Sequence, residues 1–123
     1  EWLHAETLQQ PNGLLILDDV MYVAGWGKDQ PGNLLKVDMK TQKVEVITNK
    51  GIGNLDGLQQ KDDQHFYVSD WAGGKVYSIS KKGDSEVVIS AEKSTGDILF
   101  FEKNDQLVLP MNLQNEVWIY ELD

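Results

Sequence analysis

Met21-Tyr22-Val23-Ala24-Gly25-Trp26 and Phe66-Tyr67-Val68-Ser69-Asp70-Trp71 are two versions of one pattern, offset by 45 residues. Each is a β-branched and aromatic run ending in a small or polar residue and a tryptophan, which is the composition of a short strand. What surrounds them also repeats. Pro11-Asn12-Gly13-Leu14 and the acids Asp18-Asp19 precede the first run, while Leu55-Asp56-Gly57-Leu58 and Asp62-Asp63 precede the second, at offsets of 44. Leu34-Leu35-Lys36-Val37-Asp38 follows the first, and Lys75-Val76-Tyr77-Ser78-Ile79 follows the second. A third, weaker copy lies 40 to 42 residues further on: Thr95-Gly96-Asp97-Ile98, Asn104-Asp105, Leu107-Val108-Leu109-Pro110-Met111 and Val117-Trp118-Ile119-Tyr120. Stations of matching chemistry in one order identify an internal repeat, and a repeat decides the fold before any single element does.

Every unit reads as antiparallel strands. The acidic pairs and Asn104-Asp105 fall where hairpins turn, a geometry that Asp and Asn accept. Lys40-Thr41-Gln42-Lys43 and Lys81-Lys82-Gly83-Asp84 mark a second turn in each of the first two units. Val44-Glu45-Val46-Ile47 and Glu86-Val87-Val88-Ile89 then read as outer strands. No stretch keeps an apolar period of 3.6, so the chain is all-β. A unit of about 40 to 45 residues with four short strands matches one blade of a β-propeller, and such rings close with about 4 to 8 blades. The expected division is residues 1–10 as the outer strand of a neighbouring blade, 11–50 and 51–91 as blades, and 92–123 as an incomplete blade. That is three blades cut out of phase, half of a six-bladed ring. Either the chain is a fragment of a longer propeller, or two copies form a homodimer in which residues near Trp2-Leu3 complete the partner's last blade.

Composition narrows the function. Of 123 residues, 11 are basic and 20 acidic, giving a net charge of −9, and every basic residue is lysine. A nucleic-acid surface needs clustered positive charge and is disfavoured; an anionic membrane surface is disfavoured likewise. Without arginine there is no planar fork for phosphate or carboxylate. Without cysteine there is no disulfide, thiol chemistry or thiolate metal site. No apolar run approaches 18 residues, and no charged-then-apolar leader is present. Gly25-Trp26-Gly27-Lys28 lacks the hydroxyl and spacing of a phosphate loop. Gly51-Ile52-Gly53 lacks the strand-to-helix setting of a dinucleotide fingerprint, and no Gly-x-Ser-x-Gly elbow occurs.

The candidate site lies on the loops leading into the inner strands, which converge on the channel mouth of a propeller. Asn12 and Asp56 hold equivalent positions, each followed by Gly-Leu. Repetition therefore aims two oxygen-bearing side chains at one axis, where they suit a hard cation; the plainer reading is that Asn-Gly and Asp-Gly are turn dipeptides. Asp97 stands one position late, with Gly96 in the aligned place, as a pocket acid or a solvated turn residue. Trp26, Trp71, Asp70 and Asn112 sit at the ends of the second strands, where they line a pocket or pack between blades. His65 reads as a surface or hydrogen-bonded histidine, His4 as isolated, and Asp18, Asp19, Asp62 and Asp63 as solvated hairpin acids.

Pro11-Asn12-Gly13-Leu14, Asp56-Gly57-Leu58 and Tyr67-Val68-Ser69-Asp70 resemble the senescence-marker/regucalcin/gluconolactonase-like family of six-bladed propellers. The tail from Gly96-Asp97-Ile98 to Glu116-Val117-Trp118-Ile119-Tyr120-Glu121-Leu122 is similar to that of bacterial members. The resemblance covers most of this chain and about the last half of a family member. It implies that Asn12 and Asp56 bind a divalent metal, Ca²⁺ first and Zn²⁺ or Mg²⁺ as alternatives, which polarises a lactone carbonyl while Asp56 serves as base for water. The family's further Glu ligand, from its first blade, has no match here. The implied activity is metal-dependent hydrolysis of sugar lactones or similar small esters. The competing expectation is a non-catalytic propeller that binds a small molecule or a protein. The expected partners are a small-molecule ligand and the rest of the ring, or a second copy, with neither nucleic acid nor membrane. The expected location is periplasmic or secreted rather than cytoplasmic.

Overall fold

A computed structural model describes residues 1–122 and shows three antiparallel sheets with no α-helix among them. The first sheet is β1 (Pro11–Leu17), β2 (Val20–Gly25), β3 (Leu34–Asp38) and β4 (Val44–Val46), in chain order. The second repeats it with β5 (Leu55–Gln60), β6 (His65–Asp70), β7 (Lys75–Ser80) and β8 (Ser85–Ser90). The third has β9 (Leu99–Phe101), β10 (Gln106–Met111) and β11 (Glu116–Glu121), ending on β11 as a free edge. These are the blades read from the repeat, the last one short of a strand.

The turns follow from their residues. Asp18 links β1 to β2 at φ 55°, a left-handed backbone that Asp tolerates. Asp62 Oδ1 accepts the backbone N–H of Gln64 at 2.8 Å and lies 2.9 Å from His65 Nδ1, closing the β5–β6 turn. His65 is thus a hydrogen-bonded turn residue. Asp38 does the same after β3, accepting from the N–H groups of Lys40 and Thr41 at 2.8 and 3.1 Å. Those two backbone donors, aided by the Lys40 charge, hold its carboxyl below the usual range.

Alternation along each strand gives each sheet two faces, and neighbouring sheets bury them against one another. Tyr22, Ala24 and Leu34 of the first sheet pack on Leu55, Leu58, Phe66, Val68 and Ile79 of the second. Tyr67, Val76 and Ile89, from the other face of the second sheet, pack on Leu107, Leu109 and Met111 of the third. Phe66 is the largest fully buried side chain, and its ring lies 4.5 Å from that of Tyr22.

The segment 1–10 departs from expectation. It forms no strand; Glu6–Leu8 make a single 3-10 turn, and Gln9 and Gln10 both take positive φ. Leu3 and Leu8 lie on Val23, Leu35 and Val37, the outward face of the first sheet. The reason is a missing ladder. An outer strand needs a sheet edge for its N–H and C=O groups, and the blade that this segment was expected to complete is not part of the chain.

Phe66→Ala is expected to lower unfolding stability by about 3–5 kcal/mol, the usual cost of emptying a packed aromatic site. Urea denaturation of the variant against the parent measures it, and a loss under 1 kcal/mol would contradict the two-sheet core.

Candidate metal and ligand site at the inner strand ends

Asn12 and Asp56 belong to strands, not turns. Each sits at a register shift of its inner strand, between Pro11 and Gly13 in β1 and between Leu55 and Leu58 in β5. The glycines after them have a packing role. A Cβ on Gly13 would strike the Asp56 carbonyl, and one on Gly57 would strike the backbone N–H of Ile98. Only glycine lets consecutive inner strands come this close. The close approach puts Asn12 of β1, Asp56 of β5 and Asp97, in the bend two residues before β9, side by side around one opening of about 380 Å³ shared with Gln59.

The hydroxyl of Ser69 fixes this spacing. It accepts the Gly57 N–H at 2.7 Å and donates to the Gly96 carbonyl at 2.6 Å, fully buried. One side chain thereby clamps the residues beside Asp56 and Asp97. Leaving such a buried donor and acceptor unpaired costs about 1–3 kcal/mol each. Nothing in the repeat singled out Ser69: the equivalent position in the first unit is Ala24.

The electrostatics are those of an uncompensated pair of acids. Asp56 is half-buried, and its pKa is raised first by burial and next by the charge of Asp97, against a lowering hydrogen bond from Asn12. The Asn12 amide nitrogen also donates to the Leu55 carbonyl at 3.4 Å. No lysine is among the residues lining the opening. The donors are carboxylate and amide oxygens, the type a hard cation takes. Among the described residues no group of three or more His, Cys, Asp or Glu is placed to hold a metal. Two carboxylates and one amide therefore fit such an ion in kind and fall short of the six to eight oxygens Ca²⁺ takes.

Asp56 and Asp97 also border a second hollow of about 360 Å³, walled by Trp71, Met111, Asn112 and Glu116. Trp71 and Asn112, at equivalent strand ends of the second and third sheets, thus reach the space beside the acids. Trp26 and Asp70 do not line either opening. The Trp26 ring packs on that of Trp71 at 5.9 Å, between blades. Asp70 is buried, and its Oδ1 accepts the backbone N–H groups of Asn54 and Gly73 at 3.0 and 3.1 Å. It organises the loop under Trp71. Gln59 and Glu116 border the openings without having been anticipated. Both lie on strands, where their direction depends on register.

No family model matches the chain, and no curated protein matches it by sequence. Among solved structures it is similar to a chain of "Crystal structure of Nidogen/Laminin Complex", with a TM-score of 0.71 at 12% identity. The match covers 88% of this chain and 41% of that one, so this chain spans about two fifths of its neighbour. At that identity the likeness concerns the fold, which is β-propeller-like.

If Asp97 raises the pKa of Asp56 through its charge, Asp97→Asn lowers it toward the ordinary carboxylate range, with the contribution of burial remaining. A carbon-detected NMR titration of the Asp56 carboxyl reads the shift, and an unmoved midpoint would show that the two acids do not interact.

Proposed function

We propose that this chain supplies the ligand-bearing mouth of a divalent-metal-dependent propeller hydrolase acting on sugar lactones or similar small esters. The observation that carries the proposal is the meeting of Asn12 and Asp56, on neighbouring inner strands, with Asp97 in the bend before β9. Asn12 and Asp56 are the proposed ligands, with Ca²⁺ the first candidate and Zn²⁺ or Mg²⁺ the alternatives. A bound divalent ion supplies Lewis acidity toward the ester carbonyl. Asp56 receives the proton of the attacking water. Asn12 restrains the Asp56 carboxyl, Asp97 keeps it basic, and Trp71 with Asn112 offers a wall against which a sugar ring can lie. The finer architecture proposed with this function is half of a six-bladed ring, so the remaining oxygen ligands lie outside this chain.

The second reading is a non-catalytic binding propeller. It is favoured by the hollow beside Trp71, which joins an aromatic face to Asn112, Asn115 and Glu116 and does not require a metal. The acidic surface speeds encounter with cationic ligands in either case.

The metal reading is testable through the charge of Asp56. The folded-state pKa of Asp56 lies above its unfolded value. The stability it contributes is therefore present below the unfolded pKa and lost as pH rises through the folded one. At pH 7 without metal, Asp56→Asn is expected to raise the melting temperature. Ca²⁺ is expected to stabilise the parent and leave Asp56→Asn unmoved. A parent that melts alike with and without Ca²⁺, Zn²⁺ or Mg²⁺, and hydrolyses no lactone, would leave only the binding reading.

A further inference from the structure

The hollow of about 360 Å³ beside Trp71 has walls that are tied to each other through one residue. That residue is Ser94, fully buried and at a positive φ of 79°. Its N–H donates to the Trp71 carbonyl at 2.7 Å, and its carbonyl accepts the Asn112 N–H at 3.2 Å. Its hydroxyl accepts the Leu113 N–H at 3.0 Å and donates to Gln114 Oε1 at 2.6 Å. Trp71 on one side and the β10–β11 turn on the other are thereby held at a spacing set by the fold, as in a preformed ligand pocket.

The lining divides by chemistry. Trp71, Pro110, Met111 and Val117 supply an aromatic and apolar wall, while Asp56, Asp97 and Glu116 supply three carboxylates. Among the described residues no lysine pairs with any of the three. A cation is already drawn to the Trp71 ring, because Lys93 Nζ lies 5.5 Å from its centre. Lys93 offsets one negative charge of three, so the surroundings stay negative. From this complementarity we infer that the hollow takes an organic ammonium group carried on a small apolar body, with the body against Trp71 and Met111 and the ammonium among the carboxylates. This names the ligand of the binding reading above and rests on it. A bare divalent ion is better served by the neighbouring opening, where Asn12 and Gln59 add amide oxygens, than by a wall of hydrocarbon. A neutral ligand would leave the carboxylates uncompensated, and an anion would be repelled by them and by the net charge of −9.

The test titrates 2-phenylethylammonium into the chain at neutral pH and low ionic strength, with NMR detection of the Trp71 indole N–H and of the amides of Gly96, Asn112 and Val117. These signals are expected to move together and to saturate. The neutral isostere 2-phenylethanol is expected to bind about fivefold more weakly or worse. Asp97 and Glu116 are exposed, so Asp97→Asn and Glu116→Gln are expected to fold. Each is expected to weaken the ammonium probe by about two- to fivefold while leaving 2-phenylethanol unchanged, and added salt is expected to weaken it as well. Equal binding of the two probes, or an ammonium affinity that neither variant lowers, would overturn the inference while leaving the binding reading in place. So would saturable binding of methyl glucoside in a hollow indifferent to the ammonium probe. A hollow indifferent to all three compounds would overturn the inference together with the binding reading; stabilisation by Ca²⁺ in that case would leave the metal reading standing.

Discussion

Close packing of one antiparallel sheet on the next is the constraint from which the rest of this structure follows. Each sheet has two apolar sides, so no blade can bury both alone, and the stack exists because neighbours supply the missing partner. The tightest part of that packing is at the inner strands, where Gly13 and Gly57 let backbone approach backbone. A methyl group at either position would meet the next strand and push the blades apart. The same contact that permits the fold also sets the site, since the residue before each of these glycines is carried to the mouth.

The mouth is thus a by-product of periodicity sharpened by local chemistry. Asn12 and Asp56 arrive by repetition, whereas Asp97 arrives one position out of phase and still borders the same opening. Ser69 reconciles the phases by bonding to Gly57 on one side and Gly96 on the other. Two acids brought together in a half-buried place, without a neighbouring lysine, raise the cost of ionising Asp56. A hard cation relieves that cost most directly, and a cationic or hydroxyl-rich ligand relieves part of it.

The repeat made the architecture legible: strand order, turn acids and the short third unit can all be read from spacing. Tyr22 and Phe66 stand at adjacent positions of the repeated pattern, which puts them on opposite sides of their own sheets and, in the stack, against each other. Three features were not legible, for physical reasons. The role of Gly13 and Gly57 depends on how near the next sheet lies, which the turn chemistry of Asn-Gly and Asp-Gly does not reveal. Asp70 matched a pocket position by sequence, but its burial and the nearby N–H groups of Asn54 and Gly73 give it a loop to hold. The segment 1–10 was expected to be a strand from its place ahead of the first inner strand, yet a strand is a property of a pair. In this chain its leucines cover a hydrophobic face instead.

The central claim, that Asn12 and Asp56 on neighbouring inner strands hold a cation beside Asp97, is tested most directly by titrating the chain with Mn²⁺ while recording backbone amide NMR spectra. The account predicts that the amides of Gly13, Gly57 and Ile98 broaden together and first, ahead of Asp18-Asp19 at the far end of β1 and of the Asp62-Asp63 turn. Broadening that begins at those hairpin acids, or that reaches only one of the three amides, would contradict it.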